Sequence, residues 1–211
     1  TGRGENQPFP ASLEPHATGC NYIGYLTSGV SIKKGKVFVL TGKLPTFPDT
    51  RDGAKIMEAA QCRYWSMTTY DADFPFSKVK GLENTSVMDD EIILDENRNY
   101  IIVYSRKEDR PSNAIVANGI TLIDWGNTGT QAFTWRWMSV YPDWSFDFTP
   151  NEENLPWAKT TWSGTKYDPS IIGNNARGFL EEYHSLRHYM TKEKFEELNN
   201  AQLKTGKVIW E

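Results

Sequence analysis

Long apolar runs are missing from this sequence: none approaches the roughly 20 residues that a bilayer core demands, so no membrane-spanning helix is expected. Runs of lysine or arginine are missing too. With 23 basic against 27 acidic side chains the formal balance is −4, which speaks against a nucleic-acid groove or a polybasic membrane patch and leaves small or polar partners. Cysteine is scarce: Cys20 and Cys62 are the only two. One intramolecular disulfide is the most they can form, and the other reading of each is a small apolar side chain. No glycine-rich phosphate loop, nucleophile elbow or serine-histidine-aspartate ordering is present, and nothing in the sequence calls for a cofactor. Thr1-Gly2-Arg3-Gly4-Glu5-Asn6 lacks an initiator methionine. That fits a processed exported protein or a shortened chain, and a secreted, periplasmic or cell-envelope location is the expectation.

What is present is β-structure. The 211 residues suit one domain that buries roughly 70% of its unfolded surface. Residues 1–20, rich in proline, glycine and polar groups, read as an extended arm. Residues 21–175 read as a β-sandwich domain and residues 176–211 as a helical appendage packed on it. Strands are expected at 21–26, 36–43, 62–71, 92–94, 100–105, 114–117, 120–125 and 131–140, from β-branched and aromatic runs bounded by turn residues. Two pairs should be hairpins: 92–94 with 100–105, and 114–117 with 120–125 around Asn118-Gly119, a two-residue turn signal. Pro45 and Pro48 make residues 44–50 a rigid extended loop. Phe179, Tyr183, Leu186 and Met190 recur at helical spacing, and Thr191 is placed to cap a second helix carrying Phe195 and Leu198. Short strands joined by turns, with helix only late, favour an antiparallel sandwich or jelly roll.

The stretch Cys62-Arg63-Tyr64-Trp65-Ser66-Met67 carries the most chemistry. Alternation puts Arg63, Trp65, Met67 and Thr69 on one face, and a cation inside a doubly covered strand needs a carboxylate, a carbonyl or a ligand. Arg136 sits likewise beside Trp135 and Trp137. Arg63, Trp65, Arg136 and Trp137 are therefore the candidate ligand contacts, two guanidinium forks with indoles to stack on. The alternative is that each arginine pairs with Asp71, Asp89, Asp90 or Asp124. Asp71, Asp89 and Asp90, near strand ends, are the candidate acid-base residues. His184 and His188, four apart on an expected helix, are metal candidates of a minor kind, since Ser185 stands where a metalloprotease helix has glutamate. Trp157, Trp162 and Trp210, in polar surroundings or at the tail, are candidates for exposure toward a protein partner or a second copy.

Several of these segments together resemble an uncharacterised family of mostly bacterial and fungal proteins, many of them exported. The matching pieces are Gly42-Lys43-Leu44-Pro45-Thr46-Phe47-Pro48-Asp49-Thr50, Arg63-Tyr64-Trp65-Ser66, residues 99–105, Arg110-Pro111-Ser112-Asn113-Ala114, Trp125-Gly126, and Arg136 before Tyr141-Pro142. The stretch from Tyr64 to Asp71 is also similar to the jelly-roll domain of the domain of unknown function 1214 family. The resemblance implies a β-sandwich and export, and supplies no catalytic residues. The chain departs from the pattern after Trp125-Gly126, where Asn127-Thr128-Gly129-Thr130 makes a short polar turn. The expectation is then a secreted or envelope-associated sandwich binding a small or saccharide-like ligand through arginine and tryptophan. The alternatives are a hydrolase or lyase with an aspartate base, and a structural subunit of an extracellular assembly.

Overall fold

A computed structural model of the chain describes residues 23–55, 60–71, 84–140, 183 and 185–198, with the side chains of 23–28, 71, 139 and 140 outside the description. The strands are β1 (Ile23–Ser31), β2 (Val37–Lys43), β3 (Cys62–Asp71), β4 (Ser86–Met88), β5 (Asn99–Ser105), β6 (Ile120–Asp124), β7 (Thr130–Val140) and β8 (Leu186–Met190), followed by the short helix α1 (Lys192–Glu196). They form two four-stranded sheets, β1-β7-β3-β4 and β6-β5-β2-β8. The protein is a mainly β sandwich.

The core follows from strand alternation. In the first sheet Trp65 and Met67 of β3 lie opposite Trp137 and Trp135 of β7. In the second, Phe38 and Leu40 of β2 lie opposite Tyr104 and Ile102 of β5. These side chains share one buried apolar cluster, and rings meet across the gap: Tyr100 and Trp135 centroids are 5.6 Å apart, Phe38 and Phe133 6.0 Å. The opposite face of the second sheet is also apolar. Val37, Val39, Ile101, Val103 and Ile120 build a smaller cluster there, capped by Phe195 of α1 and by Ala114. This explains why residues 36–43 are apolar on both faces. At Gly42 a Cβ would stand 2.5 Å from the Tyr100 hydroxyl. The missing side chain lets Tyr100 lie across β2 and reach the Ser185 hydroxyl, 2.7 Å away, just before β8.

Four expectations are corrected. Residues 92–94 are not a strand: Ile92 is buried, and the Ile93 N–H goes to the Thr121 hydroxyl rather than to a ladder. The polar turn after them is real, closed by the Asp95 carboxylate accepting from the backbone of Asn97 and Asn99. Residues 114–117 are no strand either. Val116–Asn118 is a turn of 3-10 helix ended by Gly119 at φ 77°, so Asn-Gly terminates a helical turn instead of joining two strands. β6 then runs parallel to β5, the one exception among the otherwise antiparallel pairings of the described residues, and residues 106–119 supply the long crossover that a parallel pair requires. Lastly, Leu186–Met190 is a strand and not a helix. It pairs antiparallel with β2, whose otherwise open edge outweighs the helical spacing of its apolar residues. The Thr191 cap is as expected, its side chain accepting from the Lys194 N–H. Also as expected, residues 44–49 form extended, ladder-free chain. The arm at 1–20, Cys20, Phe179, His184, and Trp157, Trp162 and Trp210 lie outside the described residues.

Candidate functional site

A cleft of about 750 Å³ opens where β3 begins, lined by residues from the proline loop, β3, the end of β4 and the turn after it, the turn before β5, and β7. Arg63 lines it. So do Asp89 and Asp90, together with Arg51, Arg98 and Asp49, giving three guanidinium groups and three carboxylates on one surface. Tyr64, Met88, Met138 and Phe47 supply its apolar wall. The volume lies within the range of small-molecule sites.

The charges differ in how well they are satisfied. Arg51 forms an ion pair with Asp90 through its Nε. Arg98 is structural: its Nε donates to the carbonyls of Leu44 and Pro45 at 3.2 and 3.0 Å, and its Nη2 to Pro45 at 2.6 Å. Its guanidinium carbon stands 4.4 Å from the Phe47 ring centroid. Gln61 pins the loop from the other side, Nε2 donating 2.8 Å to the Tyr183 hydroxyl while Oε1 accepts from the Thr46 N–H at 2.8 Å. The Asp49 carboxylate accepts from the Asp52 N–H. Arg63 is different: half-buried, it has no hydrogen-bond or ion-pair partner among the described residues. Asp89 likewise meets no cation within ion-pair distance among the described residues; backbone N–H groups donate to its carboxylate, that of Asp90 at 3.1 Å and that of Trp65 among them.

Burial pushes the Asp89 carboxyl above its ordinary value of 3.8, with nearby Asp90 adding to the rise. Just above pH 3.8 the folded protein therefore keeps a proton that the unfolded chain has already released. Stability falls as pH rises through that window, and at neutral pH the whole penalty of the desolvated charge is present. Asp89→Asn keeps an oxygen for the Asp90 N–H and removes the charge. Its Tm should exceed that of the wild type at neutral pH, and the difference should shrink toward zero as pH falls below 3.8. A Tm difference that is flat across this titration would contradict the assignment.

The other sequence candidates fall elsewhere. Trp65 and Trp137 are 0% and 2% exposed, packed in the sandwich core, so neither presents a ring to a ligand. Their alternation partners face the opposite sheet, which claims both indoles. Arg136 projects from the other face of β7, its Nη1 donating 3.0 Å to the Thr68 hydroxyl and its Nη2 2.5 Å to that of Tyr70. The register explains the split: Arg136 lies opposite Ser66, on the face that Arg63 does not share. The two arginines do not meet in one pocket. Asp124 pairs with Arg110 and with neither of them. Asp71 ends β3 opposite Gln131, and its side chain lies outside the described residues. His188 is buried beside Val39, where burial pushes its pKa down to about 4 and keeps the ring neutral. Among the described residues no group of three or more His, Cys, Asp or Glu is arranged to hold a metal, and no helix is long and apolar enough to cross a membrane. Cys62 carries a free, buried thiol. Burial first, and Asp89 second, push it up to about 12, so it behaves as the small apolar side chain that was the alternative to a disulfide.

Arg51 and Arg98 were not singled out from the sequence. Arg98 looks like one polar residue in a polar turn, and only its φ of 65° and its reach to the proline loop reveal its task. The Pro-Thr-Phe-Pro motif marked that loop as rigid, which was the available signal that it walls a site.

No family model matches the chain, and no curated protein matches it. Among the solved structures that are similar in part are the following two. One, an uncharacterized protein from Burkholderia cenocepacia, aligns over 63% of this chain and 32% of its own at 15% identity, with a TM-score of 0.43. The other, a protein from Vibrio parahaemolyticus, aligns over 57% of this chain and 27% of its own at 16% identity, with a TM-score of 0.37. The chain thus spans about a third or less of the length of either.

Proposed function

We propose that the protein is a binding module for a small ligand carrying a carboxylate or sulfate, held in the cleft at the start of β3 with its anionic group on Arg63. The observation that carries this is the half-buried Arg63 guanidinium, on a cleft wall and without a partner among the described residues. A cation withdrawn from bulk water and left unpaired is costly, and an incoming anion recovers that cost through a forked, charge-assisted hydrogen bond. Tyr64 replaces the buried tryptophans as the ring available to a ligand. The segments that resemble exported bacterial and fungal proteins support a secreted or envelope setting for such a module. The test is isothermal titration calorimetry with small organic acids, sulfated sugars and neutral sugars. An acid or sulfate should bind, and Arg63→Gln should weaken it about tenfold or more, a loss of about 1.4 kcal/mol. Neutral sugars binding as tightly as acids, or equal affinities for wild type and Arg63→Gln, would sink the reading.

One observation favours a second reading, a hydrolase or lyase. Asp89 shares the cleft with Arg63, and its raised pKa suits a general base or acid. Turnover of a bound ester or hydroxy acid that vanishes in Asp89→Asn, with binding retained, would favour catalysis. Binding without turnover favours the module.

A further inference from the structure

Resting on the anion-binding reading, we infer that the cleft takes a small zwitterion with an apolar side chain, a free α-amino acid or a molecule of that size, its carboxylate on Arg63 and its ammonium on Asp89. Three features point the same way. First, the Asp89 N–H donates to the Trp65 carbonyl at 3.0 Å, continuing the β3-β4 ladder one pair beyond Ser66 and Met88. Asp89 therefore stands across from Trp65, with Arg63 two residues along β3. Diagonal neighbours of this kind lie about 7–8 Å apart across an antiparallel pair, within the span of one small molecule bearing both charges.

Second, these two opposite charges line one cleft and do not pair with each other, whereas Arg51 and Asp90 beside them do. Arg98 is occupied by the carbonyls of the proline loop. Asp49 also meets no cation and accepts from the Asp52 N–H, but it is Asp89 that shares a face of the first sheet with the unpaired Arg63, so these two present one positive and one negative group together, the pattern of a zwitterion. A group that donates to Asp89 also removes the penalty of its desolvated charge, as the anion does for Arg63. Third, the remaining wall is apolar and contiguous. Tyr64 lies opposite Met138, and Met88 opposite Ser66, so these three side chains share the face of the first sheet that Arg63 and Asp89 do not, and they line the cleft from its other side. Two methionines beside a tyrosine make an adaptable surface for an aliphatic or aromatic side chain.

The experiment is calorimetric titration of the full chain with leucine, methionine and phenylalanine, each beside its deaminated acid and its decarboxylated amine. At least one amino acid should bind, with its deaminated acid about tenfold or more weaker. Asp89→Asn should lower the amino acid to the affinity of the acid and leave the acid unchanged, while Arg63→Gln should weaken both and spare the amine. Equal affinity for acid and amino acid, with Asp89→Asn affecting neither, overturns the zwitterion and leaves Arg63 as an anion site. If neither acids nor amino acids bind at millimolar concentration, while both variants keep a cooperative melt, the anion reading and the zwitterion fall together.

Discussion

Trp135→Ala should cost about 3–5 kcal/mol of folding free energy, the range for emptying a buried tryptophan site, out of a total of roughly 5–15 kcal/mol for a domain of ordinary stability. Trp135 is 1% exposed at the centre of the sandwich. Its ring centroid lies 5.0 Å from that of Trp65, 5.6 Å from Tyr100, 6.0 Å from Trp137 and 6.4 Å from Phe133. Tyr100 belongs to the second sheet and the others to the first, so one side chain joins the two layers. Its neighbours sit on strands fixed by ladder hydrogen bonds and cannot collapse into the space left behind, which puts the cost toward the top of the range. The measurement is the urea midpoint with an unchanged slope. Trp135→Phe should keep most of the wild-type stability. A loss under about 1 kcal/mol for the alanine variant would mean that the sheets are not packed through this ring.

That packing was legible in the sequence because alternation is local. Phe133, Trp135 and Trp137 fall on one side of any strand drawn through residues 131–140, and Trp65 and Met67 on one side of 62–71. The same rule put Arg63 beside Trp65 and placed it in doubly covered β-structure. Alternation does not say where along a strand the cover ends. Trp65, two residues further in, is sealed by the facing sheet, while Arg63 stands at the rim and lines the cleft. Nor does it give the relative phase of two strands: Arg136 looked equivalent to Arg63 until the register set it opposite Ser66. The misread hairpin at Asn118-Gly119 and the helix expected through Leu186 and Met190 have a common origin. Both segments are short, and both are decided by a distant strand edge, β5 in one case and β2 in the other. Five residues of local pattern carry too little free energy to resist an edge that offers a ladder. Half the cleft wall was legible as rigidity, since two prolines in Pro45-Thr46-Phe47-Pro48 forbid a strand. The residue that fastens that wall was not.

Arg98→Ala should cost about 2–4 kcal/mol, the sum of charge-assisted hydrogen bonds and a guanidinium lying over an aromatic face, and should abolish Arg63-dependent anion binding along with it. At Thr46 the proline loop is bonded to Gln61 and Cys62, while the residues on either side of Thr46 depend on Arg98. Pro45 and Pro48 have no N–H, and the carbonyls of Leu44 and Pro45 are taken up by the Arg98 side chain. The backbone of Arg98 completes the clamp, its carbonyl accepting from Leu44 and its N–H donating to Asp95. Without the guanidinium, Phe47 loses the group stacked on it and the wall from Phe47 to Arg51 loses its anchor. The backbone contribution can be separated from that of the side chain. Arg98 holds φ at 65°, a conformation that costs a side-chain-bearing residue roughly 1–2 kcal/mol and glycine almost nothing. Arg98→Gly should therefore be more stable than Arg98→Ala by about 1 kcal/mol, yet equally unable to bind the anion. Arg98→Lys should fall near the alanine variant, because an ammonium keeps the charge and loses the fork that spans two carbonyls. Wild-type stability and binding in Arg98→Lys would show that charge alone suffices and that the loop is held by something other than the geometry of this one side chain.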